Sequence, residues 1–270
     1  MLAVGSESTT PDGRAWRIGT SSGSEPNAPP FPYPLPLTRD EGPDAVIRFD
    51  QVSKRYEGGH EALSQLSFEL AAGEMAFVTG HSGAGKSTLL KLIALIERPS
   101  HGQIVVDGQS LAKVGRGGIP ALRRRLGMVF QDHRLLMDRS VADNVALPLV
   151  IGGIPREERA KRVRGALEKV GLAGRGRDAP AGLSTGEQQR VGIARAIVGR
   201  PALIIADEPT GNLDPQLSEE IMQLFVELRQ TGITILIASH DLPLLKRMKQ
   251  RVVVLDHGHL IDDVPASQVA

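Results

Sequence analysis

Cysteine is absent from this chain of 270 residues, so disulfides, thiolate metal sites and thiol nucleophiles are excluded, and a reducing compartment suits it. Net charge is nearly absent too: at +1 there is no whole-protein field of the kind that draws nucleic acid, and no nucleic-acid partner is expected. Long apolar runs are missing. No uncharged segment approaches the ~18 to 20 residues that span a bilayer, and the opening MLAVGSESTT has neither the basic start nor the apolar run of a signal peptide. What is there suffices for one large domain or two small ones with a real core.

Residues 1–44 differ from the rest. They hold eight of the eighteen prolines, the one Trp (Trp16) and a PPFPYPLPL run that favours polyproline II. This composition predicts a disordered extension; a docking peptide anchored on Trp16 or Tyr33 is the functional alternative. From residue 45 to 262, apolar strands alternate with helical patterns. VIRFDQV, LSFEL, GEMAFVTG, QIVVDG, GMVF, ALIIAD and ITILIAS read as strands, and VVVLDHGHLI as a hairpin. Consecutive apolar residues in ALIIA and ITILIA are what a parallel sheet covered on both faces requires. Residues 132–183 carry helical pattern without a clear strand, and 263–270 read as a C-terminal tail. The expectation is an α/β core with an inserted helical subdomain.

Gly80, His81, Ser82, Gly83, Ala84, Gly85, Lys86 and Ser87 match G-x-x-x-x-G-K-[ST], after an apolar strand and at the start of a helix; Thr88 follows. Glycines let the backbone curl so that N–H groups and the helix start face phosphates, Lys86 supplies charge to the β- and γ-phosphates, and Ser87 ligates Mg²⁺. The strand LIIA then delivers Asp207 and Glu208 to the sheet edge where open α/β sheets bind ligands. Asp207 is expected in the Mg²⁺ shell, and Glu208 is expected to polarise the attacking water. His240 ends the next strand and could hydrogen-bond the γ-phosphate. Gln131, after GMVF, could reach Mg²⁺ or the water through its amide oxygen. Alone, a DE pair, a strand-end His or a Gln would each read as a solvated turn.

LSTGEQQR opens a helix, with Ser184 and Glu187 spaced as a capping box. The box explains both of those residues but leaves Gly186 unexplained, because a glycine in the first turn costs stability unless another group approaches closely.

In order along the chain, GHSGAGKST, the glutamine of FQD, LSTGEQQR, LIIADEPTGNLD and the histidine of IASHD resemble the ATP-binding subunits of ABC transporters, over about residues 46–262. The resemblance implies a P-loop NTPase core with a small antiparallel β subdomain and the helical insertion, and a Mg²⁺-dependent ATPase. It also implies a homodimer in which Ser184, Thr185, Gly186 and Glu187 of one subunit cover ATP held by the other. Tyr56, in SKRYEGG, matches the aromatic that stacks on adenine, and Asp214, in GNLD, matches the loop that couples the two sites. The family usually has LSGG where this chain has Leu183-Ser184-Thr185-Gly186. As the first helical residue, Thr185 costs little backbone energy, so it is expected to modulate turnover rather than abolish it.

GHSGAGKSTLLKLIALIERPS and FQDHRLLMDRSVADNVALPL are most similar to the FtsE-type, cell-division branch of that family. This implies an integral-membrane partner of FtsX type and a cytoplasmic position on the inner face of the plasma membrane. A lipoprotein- or macrolide-type exporter ATPase is the alternative within the family. A DNA-associated ABC ATPase would need a longer coiled-coil or zinc-bearing insertion, and a non-hydrolysing scaffold is argued against by Glu208 and His240. The insertion after Gln131 is the expected partner-facing region. Arg123–Arg125, REERAKRVR and KRMKQR are basic clusters that could face an anionic leaflet, with solvated helix faces as the alternative.

Overall fold

In the computed structural model, strand β7 (Leu203–Asp207) and strand β8 (Thr234–Ala238) are apolar on consecutive residues because their two faces enter two different cores. Ile204, Ala206, Ile235 and Ile237 pack into one, and Leu203, Ile205, Leu236 and Ala238 into the other. Strand β3 (Met75–Thr79) divides in the same way, with Met75 and Phe77 on one side and Ala76 and Val78 on the other. This is the period of two for a sheet buried on both faces. The structure describes residues 45–269; the expected extension 1–44, with Trp16 and Tyr33, lies outside the described residues.

The described chain forms two sheets. Strands β1 (Ala45–Arg55), β2 (Glu61–Ala71), β4 (His101–Val106) and β5 (Gln109–Ser110) make an antiparallel sheet in the order β2-β1-β4-β5. The second sheet runs β10-β9-β3-β8-β7-β6, with β6 (Leu126–Phe130), β9 (Arg251–Asp256) and β10 (His259–Val264). Its strands are parallel except for β10, which turns back on β9. Helix α1 (Lys86–Ile93) is sandwiched between the sheets, burying Leu89, Leu90, Leu92 and Ile93 with Phe49 and Leu66 of the antiparallel sheet. A short helix α2 (Ile119–Arg124), which the sequence patterns do not predict, precedes β6.

The opposite face of the parallel sheet is covered by α5 (Thr185–Ile197), α6 (Pro215–Gln230) and α7 (Leu242–Met248). The segment 132–183 contributes α3 (Val141–Ile151) and α4 (Arg156–Lys169), which bury Val141, Val145, Leu149, Val163 and Leu167 against Val191 of α5 in the same core. Two differences from the sequence expectations have clear causes. β10 runs to Val264, past the expected end at 262, because Val264 pairs with Val252 and Asp263 holds Arg251 through two bonds of 2.7 Å. The cluster Arg123–Arg125 is partly consumed by the fold: Arg123 donates to the carbonyls of Ala94 and Leu95 beyond α1, and Arg125 pairs with Asp107. Among the described residues, no helix is long and apolar enough to cross a membrane.

Candidate functional site

Four elements meet at one edge of the parallel sheet: the loop from β3 into α1, and the ends of β6, β7 and β8. They bound a cleft of about 550 Å³ whose lining includes Tyr56, His81, Ser82, Gly83, Gly85, Lys86, Ser87, Thr88, Gln131, Glu208 and His240. His60 and Ala62 line it as well. Neither carries a sequence signal, since both come from the start of β2 or just before it.

Gly85 precedes α1 with φ of 107°, in the left-handed region, and a Cβ there would lie 2.6 Å from the Ala62 carbonyl oxygen. Only glycine fits this turn. The first turn of α1 has no side-chain cap, so its free N–H groups and the positive end of the helix dipole suit an anion. Gly80 and Ala84 shape the loop from outside the cleft. The Gly80 and His81 carbonyls accept bonds from Lys86 Nζ at 2.7 and 3.1 Å, and Ala84 is buried. Tyr56 stands at the rim with its hydroxyl 3.4 Å from Thr88 Oγ1 and Lys54 Nζ over its ring, 4.8 Å from the centroid.

Asp207 ends β7 and accepts a hydrogen bond from Ser87 Oγ at 3.3 Å. Burial pushes its carboxyl above the ordinary range, and the adjacent Glu208 charge adds to this, opposed by the Ser87 hydroxyl and by Lys86. Glu208 sits in the left-handed region with φ of 47°, its N–H bonded to the Ala238 carbonyl. Such a conformation in a non-glycine residue costs on the order of 1 to 3 kcal/mol and persists where surroundings fix it. Here it brings Glu208 Oε1 to 2.9 Å from His240 Nδ1. Gln131 donates its amide N–H to Asn212 Oδ1 at 3.5 Å, which leaves its amide oxygen as a ligand atom. Ser87, Asp207 and Gln131 thus form a set of oxygen donors, and oxygens are what a hard cation such as Mg²⁺ selects.

The LSTG segment does not line this cleft. Ser184 is the N-cap of α5: its hydroxyl accepts the Glu187 N–H at 3.3 Å, and Glu187 accepts the Ser184 N–H at 2.9 Å, completing the capping box. The Ser184 backbone N–H, then its hydroxyl and Arg175, hold the Glu187 carboxyl below its ordinary range. Ser184 and Thr185 are exposed, while Gly186 is buried against α6. A Cβ at Gly186 would lie 2.4 Å from Leu217 Cδ2, so the close approach expected there exists within this chain. Asp214 is the N-cap of α6, accepting the N–H of the same Leu217 at 2.9 Å.

A further link was not predicted. Arg195 of α5 donates to the carbonyls of His133 and Arg134 at 2.5 and 2.6 Å. The loop that carries Gln131 is therefore bonded directly to the helix that begins at Thr185.

Comparison with known proteins agrees with this geometry. The family model described as ABC transporter matches residues 63–211. The chain is 55% identical over 215 residues to the cell division ATP-binding protein FtsE of Escherichia coli K12, covering 80% of this chain and 97% of that protein. Among solved structures, cbiO1 of Clostridium perfringens, part of the ABC transporter complex cbiONQ, superposes with a TM-score of 0.78 at 34% identity, covering 84% of this chain and 90% of its own. The dimeric ATP-binding cassette MJ0796, in a post-hydrolysis state bound to ADP and phosphate, superposes with a TM-score of 0.74 at 32% identity, covering 82% of this chain and 98% of its own.

Proposed function

This chain belongs to the ABC transporter family, and from that premise we propose that it is the ATP-binding and ATP-hydrolysing subunit of a cell-division complex. The identity to FtsE proteins of three genera favours this branch over the exporter ATPases. One observation carries the mechanism: the chain holds a phosphate cleft with Glu208 and His240 at its edge, and a capped helix start at Ser184 that lies outside that cleft.

The two parts are complementary when two chains pack head to tail. The phosphate loop and Lys86 hold the triphosphate of one subunit, and Ser184 with the N–H groups of Thr185 and Gly186 covers its γ-phosphate from the other, aided by the helix dipole. Ser87, Asp207 and Gln131 would hold Mg²⁺, which would supply charge neutralisation to the phosphates. Glu208 accepts the proton of the attacking water, and its contact with His240 keeps it oriented. Tyr56 stacks on the base, and Asp214 sits at the loop through which the two sites sense each other. Because the contacts from the second subunit exist only in the closed pair, ATP favours closure by its differential affinity for that state.

Closure needs something to move, and the proposed recipient is an integral-membrane partner of FtsX type beneath which the subunit works on the inner face of the membrane. Its dock is the insertion after Gln131. The buried Asn144 pins the 136–140 segment onto α3 by accepting from Leu136 N–H and donating to the Leu136 and Ser140 carbonyls. Leu136, Met137, Val150 and Ile151 remain 42 to 66% exposed there, an apolar surface suited to a partner helix. Co-expression with a tagged FtsX-type membrane protein tests this. Co-purification that is lost on Met137→Glu with Ile151→Glu is expected; co-purification unaffected by that pair rejects the dock, and none at all rejects the partner.

A further inference from the structure

The turn between β9 and β10 lies against the phosphate loop: Gly258 donates to the Ala84 carbonyl at 3.1 Å, and the Gly258 carbonyl accepts the Ser64 N–H at 2.9 Å. Next to this contact His81 of the loop meets Asp256 and His257 of the turn, and one ligand atom from each of the three lies within 4.8 Å of the others. The hydrogen bonding of His81 is informative. Its Nδ1 is 2.6 Å from the Ser82 carbonyl oxygen, which can only accept, so Nδ1 carries a proton. In neutral imidazole the lone pair is then on Nε2, and Nε2 faces Asp256 Oδ1 at 3.0 Å. Two acceptors at that distance repel unless a cation stands between them, either a proton or a metal ion.

Three features favour a metal. A ring nitrogen whose other N–H is anchored on a backbone carbonyl is the arrangement that orients metal-bound histidine. Tetrahedral Zn²⁺, with bonds near 2.0 to 2.1 Å, separates its ligand atoms by roughly 3.3 Å. The 3.0 Å pair is already near that spacing. His257 Nε2 stands 3.9 Å from Asp256 Oδ1 on a ring whose side chain is 80% exposed, so rotation about its own bonds closes the remaining gap. Its ring also lies 4.6 Å from that of His81.

We propose that His81, Asp256 and His257 form a three-ligand site for Zn²⁺ or a similar borderline divalent ion, distinct from the oxygen donors around Ser87. Two imidazoles and one carboxylate suit Zn²⁺ and leave a fourth position for water or an anion. The bound ion staples the β9–β10 turn to the phosphate loop. Because one ligand belongs to that loop, occupancy restrains the segment that must shape itself to a nucleotide; this consequence rests on the ATP reading, whereas ion binding does not.

The test is calorimetric titration of the full chain with ZnCl₂, without nucleotide and with excess Mg²⁺ present, on the parent protein and on His257→Ala and Asp256→Asn. The expected result is one saturable site per chain, weakened at least ~10-fold in each variant, since even partners outside the coordination shell cost that much. Zn²⁺ should also raise the unfolding temperature of the parent more than that of His257→Ala. Absence of saturable binding, or binding equally tight in both variants, would overturn the proposal. Neither variant touches the residues assigned to catalysis, so failure here leaves the ATPase reading intact.

Discussion

The phosphate loop and the start of α5 are both helix N-termini, and they are finished in opposite ways. At α1 the residue before the helix is a left-handed glycine with no side-chain cap, and the surrounding residues line a cleft. At α5 a full capping box satisfies the Ser184 and Glu187 N–H groups, leaving those of Thr185 and Gly186 free, and Ser184 and Thr185 are exposed outside the cleft lining. The first is a cleft whose walls a single chain supplies. The second is a capped, exposed surface that, in the proposed closed pair, meets its counterpart on another chain. The physical lesson is that a helix start left uncapped beside a cleft stores its binding capacity locally, while a capped start holds its shape until a partner arrives.

Substitutions can break this comparison, and the largest effect belongs to the cleft. Glu208→Gln removes the proposed proton acceptor but keeps a similar side-chain shape, so turnover should fall by roughly 10² to 10⁴ while a single chain binds ATP as before. A steady-state assay paired with nucleotide titration reads both. Ser184→Ala acts on the other helix. If its contact is made only across two chains, ATPase activity should drop by about 10²-fold, in line with the loss of one oriented donor. Affinity of the isolated chain for ATP should hold, and an equal loss in both would place Ser184 on its own chain's nucleotide.

Gly186→Ala sharpens the comparison within the fold. Its Cβ would meet Leu217, so α5 and α6 must shift or Leu217 must repack, at a cost of about 1 to 3 kcal/mol visible as a lower unfolding temperature. An unchanged temperature would show that Leu217 yields freely. The smallest effect is expected at Thr185. Its side chain is exposed and it stands at the first helical position, so Thr185→Gly should change turnover by less than ~10-fold, about 1.4 kcal/mol. An increase of several orders of magnitude would mean that the threonine obstructs closure.

Much of this was legible in the sequence because it is local. Apolar pairs in ALIIA and ITILIA announce a sheet buried on both faces, GHSGAGKST announces its loop, and S-x-x-E announces the capping box. Gly186 was legible as a close approach but not as a contact with Leu217, because its partner is 31 residues away on another helix. Arg195 bonding to carbonyls 61 and 62 residues distant left no local trace, since any surface arginine in a helix looks alike until the chain is folded. The left-handed Glu208 was hidden for the opposite reason: acidic residues after a strand are common, and only the backbone shows the strain. Arg123 read as a free positive charge and serves instead as a donor to carbonyls beyond α1.

The most direct test of the central claim, that the α5 start completes a site on a second chain, is sedimentation of the Glu208→Gln protein with and without Mg-ATP. Blocked hydrolysis should trap the closed pair, so the account predicts a monomer that becomes a dimer only with nucleotide, and that stays monomeric with nucleotide when Ser184→Ala is added. A dimer formed equally well without ATP, or formed with ATP regardless of Ser184, would contradict it.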